Sequence, residues 1–234
     1  MHELTIPPEI AARVAARCGT EHPFADLVPA RTAFIVIDMQ VGFMDPVIGH
    51  AACPMAPRIV PAVNRLAGAL REAGGGVFWV QNTHDASCDA TWTVMQRMAT
   101  PAARARRVAA MSVGTLGHAL WPELDVRPED RIVAKRRFSA FIQGSSDLPE
   151  RLRAEGFDTV LIGGTVTNIC CESSARDAMM LDFRTVMVAD ANAAMSDAEH
   201  SASLAAFWQI FGDVMTVDHV IARLGAAASE KEAA

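Results

Sequence analysis

Short apolar runs rich in β-branched and aromatic residues recur along the chain: AFIVID at 33–38, GVFWVQ at 76–81, RIVA at 131–134, DTVLIG at 158–163, RTVMVAD at 184–190 and DVMTV at 213–217. They lack the strict apolar–polar alternation of a half-exposed strand, so they read as strands covered on both faces. Between most of them the spacing turns helical. In PRIVPAVNRLAGALREAGGG, Ile59, Val63, Leu66 and Leu70 fall on one face, and the glycines from Gly74 supply a stop. DLPERLRAEGF opens on Asp147 as a cap candidate. NICCESSARDAMMLD reads as a helix with Cys170, Ser174 and Ala178 on one side and Met179 and Met180 as core packing, and SDAEHSASLAAFWQIFG starts on Ser196 and Glu199 as a capping box.

Strands joined by crossover helices predict an α/β fold: a parallel or mainly parallel six-stranded sheet inside a three-layer α/β/α sandwich, forming one domain over 1–234. Residues 1–30 read as a helix and an extended arm. The interval 82–130 breaks the pattern and reads as a helical or irregular insertion of the kind that forms a lid or a subunit contact. The tail GAAASEKEAA reads as frayed or loosely helical.

The 234 residues are 51% hydrophobic, enough for a substantial core, and a formal net charge of −6 comes from dispersed charges rather than blocks. Nothing in that balance fits nucleic acid or an anionic membrane surface, so small molecules and copies of the chain itself are the expected partners. No apolar run approaches the about 18 residues of a membrane span, and MHELTIPPEIAARV lacks a signal peptide's basic start and apolar centre. A cytoplasmic location is expected. The five cysteines, Cys18, Cys53, Cys88, Cys170 and Cys171, are odd in number and show no CxxC spacing. That argues against a disulfide framework or a zinc cluster and leaves buried thiols or a nucleophile.

In doubly wound sheets, ligands bind at the carboxyl ends of the strands, where strand order reverses. Asp38 ends the first run, Lys135 follows RIVA, and Cys170 comes shortly after DTVLIG at the start of a helix. With strand order 3-2-1-4-5-6, the strands carrying Asp38 and leading to Cys170 flank the switch point, and Lys135 reaches in from the other side. Taken singly, Cys170 reads as a packed thiol, Asp38 as a turn former and Lys135 as a solvated charge. Three strand ends on one edge of the sheet read differently. A helix N-terminus and an ammonium group favour thiolate, a carboxylate can take and return its proton, and backbone N–H groups in the turn can hold an oxyanion.

TAFIVIDMQVGFMDP, KRRFSAFIQGSSDL and GGTVTNICCESSARDAMMLDFRTVMVADANAA resemble, in order and spacing, the three signatures of the isochorismatase-like cysteine hydrolase superfamily, over residues 30 to 225. The resemblance implies a Rossmann-like sheet, a catalytic Asp, Lys and Cys at Asp38, Lys135 and Cys170, a cis peptide between Thr165 and Val166, and an oxyanion hole from the N–H groups of Val166 and Cys170. In the family pattern, Thr-Asn or Thr-Asp and one apolar residue precede the nucleophile, which selects Cys170. Cys171 lies about 100° further round the helix and should face the core. Nicotinamidase-like members bind a metal through Asp-x-His and a further His; DPVIGHAAC offers His50 without that spacing, and VQNTHDA offers His84 alone, read as a hydrogen-bonded histidine near a strand end. No metal and no cofactor are expected. The resemblance also implies a homodimer or homotetramer.

A retained nucleophile points to hydrolysis of a C–N bond in a small carboxamide, ureido or N-carbamoyl compound through a thioester. KRRFSAF and TNICCESSARDA look most like the ureidoacrylate and N-carbamoylsarcosine amidohydrolases. The alternatives are vinyl ether hydrolysis of the isochorismate type with Asp38 as the acid, and a non-catalytic binding protein on the same fold. Gln40 would share Asp38's side if the strand continued, and could orient the carboxylate or substrate. Phe43, Trp92, Phe138 and Phe141 are candidates for the lining of an apolar pocket, and Glu172 and Asp177 beside Arg176 read as structural.

Overall fold

The computed structural model describes residues 2–232. Along the chain run α1 (Pro8–Cys18), a 3-10 turn (Pro29–Arg31), β1 (Thr32–Ile37), α2 (Val41–Met44), α3 (Ala56–Glu72) and β2 (Gly76–Asn82). Three short helices follow, α4 (Ala86–Thr91), α5 (Thr93–Arg97) and α6 (Pro101–Met111), before β3 (Arg131–Lys135), α7 (Leu148–Ala154) and β4 (Thr159–Thr165). A π-helical turn (Thr167–Cys171) leads into α8 (Glu172–Met180), and β5 (Arg184–Ala193), α9 (Asp197–Ile210), β6 (Asp213–Met215) and α10 (Val217–Glu232) complete the order.

Each of the six apolar runs forms a strand. They pair in parallel throughout, in the order β3-β2-β1-β4-β5-β6. Alternate residues of the central strands face opposite layers. Ile35, Ile37, Phe78 and Val80 pack with residues of α1, α7, α8 and α9, while Phe34, Val36, Val77 and Trp79 pack with α3 and α10. The predicted stripe of α3 is fully buried at Ile59, Val63, Leu66 and Leu70. Burying such side chains is worth about 1.5–3 kcal/mol each, which holds this helix on the sheet whatever its intrinsic propensity.

Some local expectations change. Asp147 precedes α7 without a capping hydrogen bond; Ser146 Oγ accepts from the Leu148 N–H at 3.1 Å instead. Ser196 does cap α9, accepting from the Glu199 N–H at 3.2 Å and donating to Glu199 Oε2 at 2.9 Å. Met179 and Met180 are not core residues: they are 36% and 64% exposed. The stripe of α8 that meets the sheet is Ser174, Ala175 and Ala178, and one or two steps past Ala178 turn the side chain outward. α10 extends helically to Glu232, and the last two residues of the tail lie outside the described residues.

Candidate active site

β1 ends at Ile37 because Asp38 adopts a left-handed backbone, φ 54°, a conformation that side chains other than glycine's disfavour. Its N–H still donates to Val80 O at 2.9 Å, which fixes it at the tips of β1 and β2. Lys135 is the last residue of β3, in register with Asn82 of β2. Its Nζ crosses beneath the tips to stand 2.8 Å from Asp38 Oδ2, and donates to Arg137 O at 3.0 Å. Both side chains are fully buried.

Cys170 arrives from the other flank of β1. It sits in the π-helical turn after β4, the kind of irregular turn that often marks functional positions, and its thiol lies close enough to Asp38 and Lys135 for both to act on it. The close approach of β4 to β1 depends on Gly164, whose φ is 118° and where a Cβ would fall 2.0 Å from Ile37 O. The peptide bond between Thr165 and Val166 is cis. Cys171 is fully buried and packs in the hydrophobic layer.

Burial pushes the Asp38 carboxyl above its ordinary value, although the Lys135 charge and hydrogen bonds from Lys135, Cys170 and the Asn82 amide oppose it. Burial alone would lower Lys135; the charges of Asp38 and Cys170 outweigh it and hold the ammonium protonated. Cys170 is raised, first by burial and then by the Asp38 charge, against the pull of Lys135. Desolvation beside a carboxylate works against the thiolate that a helix start and an ammonium group favour, and a π-helical turn stands where a regular helix start was expected.

Cys170 opens onto a cavity of about 250 Å³, whose wall includes Val166 and Ile169 from the same turn. Phe43, Trp92 and Phe138 line it as expected. Trp92 and Phe138 meet edge to face at 4.9 Å, and the Arg137 guanidinium lies 5.2 Å over the Trp92 ring. Phe141 is elsewhere: it is buried in the layer beneath the sheet, 5.7 Å from the Phe183 ring. Gln40 is also absent from the wall. The left-handed turn at Asp38 ends the extended strand that would have aligned the two residues. Gln40 instead accepts from the Asn82 N–H at 2.8 Å and donates to His118 O at 2.8 Å, tying the β1 and β2 ends to the segment before β3.

Several lining residues escaped sequence reasoning, among them His50, Cys88, Arg104, Arg107 and Arg136. His84 also lines the cavity, with Nε2 3.4 Å from Asp89 Oδ2. The arginines had a signal, the i, i+3 spacing of Arg104 and Arg107 on one helix face, but the same spacing marks an ordinary solvated face. Among the described residues, no cluster of three His, Cys, Asp or Glu side chains could hold a metal ion.

The sequence profile described as "Isochorismatase domain" matches residues 32–219, a segment that contains Asp38, Lys135 and Cys170. The chain belongs to the isochorismatase family. As an isochorismatase-family chain it is an enzyme, and its relatives include named hydrolases. It is 30% identical over 216 residues to a ureidoacrylate amidohydrolase, RutB, of Methylobacterium radiotolerans, covering 85% of this chain and 81% of that one. The structure of a cysteine hydrolase from Pseudomonas syringae pv. phaseolicola superposes with a TM-score of 0.77 at 30% identity, covering 86% of this chain and 96% of that one. An N-carbamoylsarcosine amidase from Thermoplasma acidophilum superposes with a TM-score of 0.64 at 26% identity, covering 80% and 97%. Among the described residues, no helix of this isochorismatase-family protein is long and apolar enough to cross a membrane.

Proposed function

We propose that this enzyme hydrolyses a C–N bond in a small carboxamide, ureido or N-carbamoyl compound, with Cys170 as the nucleophile. The observation that carries the reading is the position of the Cys170 thiol, between the cavity and a buried Asp38–Lys135 ion pair. Names among the relatives, ureidoacrylate amidohydrolase and N-carbamoylsarcosine amidase, support the same bond type.

Asp38 removes the thiol proton as the sulfur attacks the substrate carbonyl carbon. The transfer moves one negative charge from carboxylate to sulfur beside the same Lys135 ammonium, so the net charge of the three groups does not change and the cost of forming thiolate in a dry site is limited. The raised Asp38 value makes it a stronger base than an ordinary carboxylate. The N–H groups of Val166 and Cys170 receive the oxyanion. Collapse of the tetrahedral adduct breaks the C–N bond, and the Asp38 proton goes to the departing nitrogen. Water, deprotonated by the same carboxylate, then hydrolyses the thioester and frees the sulfur.

The test is ammonia release from a panel of small amides and N-carbamoyl compounds, with mass analysis of the Cys170 peptide for an acyl adduct. Wild type should release ammonia and carry the adduct, and Cys170→Ala should do neither. Equal release by Cys170→Ala would sink the proposal.

A further inference from the structure

The segment before α1 crosses the surface with Glu3, Leu4 and Thr5 exposed, yet it plants the His2 side chain inside the protein, only 2% exposed. The ring lands at the corner between β5 and α9. Its Nε2 accepts from the Ala194 N–H at 2.9 Å and its Nδ1 stands 2.6 Å from Asp197 Oδ1, so the ring proton sits on Nδ1 and is donated to that carboxylate. Thr5 adds a second tie, its N–H donating to Ser201 Oγ at 3.0 Å. The His2 ring stacks on that of His200, with centroids 4.4 Å apart and planes 18° from parallel.

His200 carries the contact inward. It is buried on α9, and its Nδ1 shares a 2.9 Å hydrogen bond with the hydroxyl of Thr167. Thr167 is the fully buried first residue of the π-helical turn that contains Cys170. On the same face of α9, Ser203 Oγ donates to Glu172 Oε2 at 2.6 Å, where the turn passes into α8. The helix thus grips the turn at both ends. A π-helical spiral is rarely adopted, so partners outside the turn decide whether it holds. The same corner frames the cavity, because Met195, next to Ala194, lines it together with Val166, Ile169 and Cys170 from the turn.

We infer that His2 and His200 are positioning residues for Cys170: the imidazole stack, braced by Asp197 and Ala194, holds Thr167 and through it the turn that aims the sulfur at Asp38 and the cavity. The inference rests on the amide-hydrolysis reading, which makes Cys170 the nucleophile, and deepens it. Anchoring the segment for stability alone needs only apolar packing, which Ile6 supplies where it meets the buried layer of α1, α7, α8 and α9. The polar contacts of His2 run instead to the two stretches of chain that border the reacting sulfur.

Neither ring borders the cavity, so their loss should appear in kcat rather than KM. Turnover of a panel amide is compared for wild type, His2→Ala, His200→Phe and Thr167→Val. In each variant kcat should fall about 10- to 100-fold, the cost of moving a reacting atom by roughly 1 Å, with KM within about 2-fold of wild type. Free imidazole should restore part of the rate to His2→Ala by refilling the vacated slot. His200→Asn, which keeps a hydrogen-bonding partner for the Thr167 hydroxyl, should retain more activity than His200→Phe. Glu3→Ala, on the exposed part of the same segment, is the control and should match wild type. Urea unfolding establishes that each variant is folded under the assay conditions. Thr167→Val keeps the side chain's shape and carries the test where loss of a ring prevents folding.

A second measurement needs no turnover. Iodoacetamide alkylation of Cys170, followed by peptide mass, forms an S–C bond and releases iodide, the thiol proton passing to Asp38 or to water. With the sulfur held against Asp38, the wild-type rate should change little between pH 6 and 8; in the variants it should climb with pH as for a free thiol titrating at about 8.5. Wild-type kcat in His2→Ala and Thr167→Val, a loss confined to KM, or one pH profile shared by wild type and variants overturns the inference. Absence of ammonia from every amide, with a profile that still changes in the variants, would instead overturn the hydrolytic reading and leave the brace standing.

Discussion

Asp38 is fully buried, strained at φ 54°, and set against one cation and one thiol. Its raised value predicts that the acid limb of kcat/KM lies above the ordinary carboxylate value of 3.8, since the proposed mechanism needs Asp38 ionised to take the Cys170 proton. Lys135 opposes that shift, so Lys135→Met should move the limb to still higher pH, as a pH–rate profile would show. The same change strands a buried carboxylate, for which a loss of about 3–5 kcal/mol in urea unfolding is expected. The adjacent cysteines should separate cleanly. Cys170→Ala should remove ammonia release, whereas Cys171→Ala, emptying a small volume in the core, should keep most activity and cost about 1 kcal/mol. Activity lost equally in both variants would contradict the assignment of the nucleophile.

At the scale of elements, β4 and β1 meet closely only because residue 164 lacks a side chain. Gly164→Ala would drive a methyl group into Ile37 O from a backbone that alanine disfavours, and a loss of about 2–4 kcal/mol with disturbed Asp38 geometry is expected. Gly74→Ala is the comparison: φ is 87° but nothing lies within 4 Å of the new Cβ, so only about 1 kcal/mol should be lost. Guanidinium or urea melts of the two variants check both figures. β5 accommodates the same region by an irregular register after Ile162, and the side chain of Asn192 substitutes for the missing ladder bonds, donating to Ile162 O at 2.8 Å and Val188 O at 2.7 Å.

Legibility in the sequence followed periodicity and covalent order. All six strands and the α3 stripe were readable because apolar burial on a strand or helix leaves a regular spacing. Asp38, Lys135 and Cys170 were readable as positions because strand ends are, and the structure brings them together. Gln40 misled because a left-handed residue at 38 leaves no local signature in a sequence that reads as continuing strand. Phe141 misled because an aromatic residue near a strand end can turn into the core as easily as into a hollow. The arginines of α6 were invisible as a wall because which face of a charged helix turns inward is decided by tertiary packing.

The molecule as a whole is tied at one corner by Asp130. Its carboxylate accepts from Arg71 Nε at 2.9 Å, Trp79 Nε1 at 2.7 Å and the Arg127 N–H at 2.9 Å, joining α3, β2 and the end of the β2–β3 connection. Burial pushes Asp130 up, but these hydrogen bonds and the Arg71 charge outweigh it and hold it below 3.8. A folded value lower than the unfolded one gives stability that is complete above the ordinary carboxylate range and vanishes as pH falls through the folded value. Asp130→Asn should therefore cost on the order of 2 kcal/mol near neutrality, and the gap to wild type should narrow in acid, as unfolding curves at a series of pH values would record.

The β2–β3 connection contributes a wall to the cavity onto which Cys170 opens while donating none of the three groups proposed to cut the bond. Such a division of labour makes the protein modular in practice. Grafting a foreign segment between Thr83 and Asp130 should redirect what the enzyme accepts and leave its cutting edge intact, so related chains can diverge in diet without reinventing their chemistry.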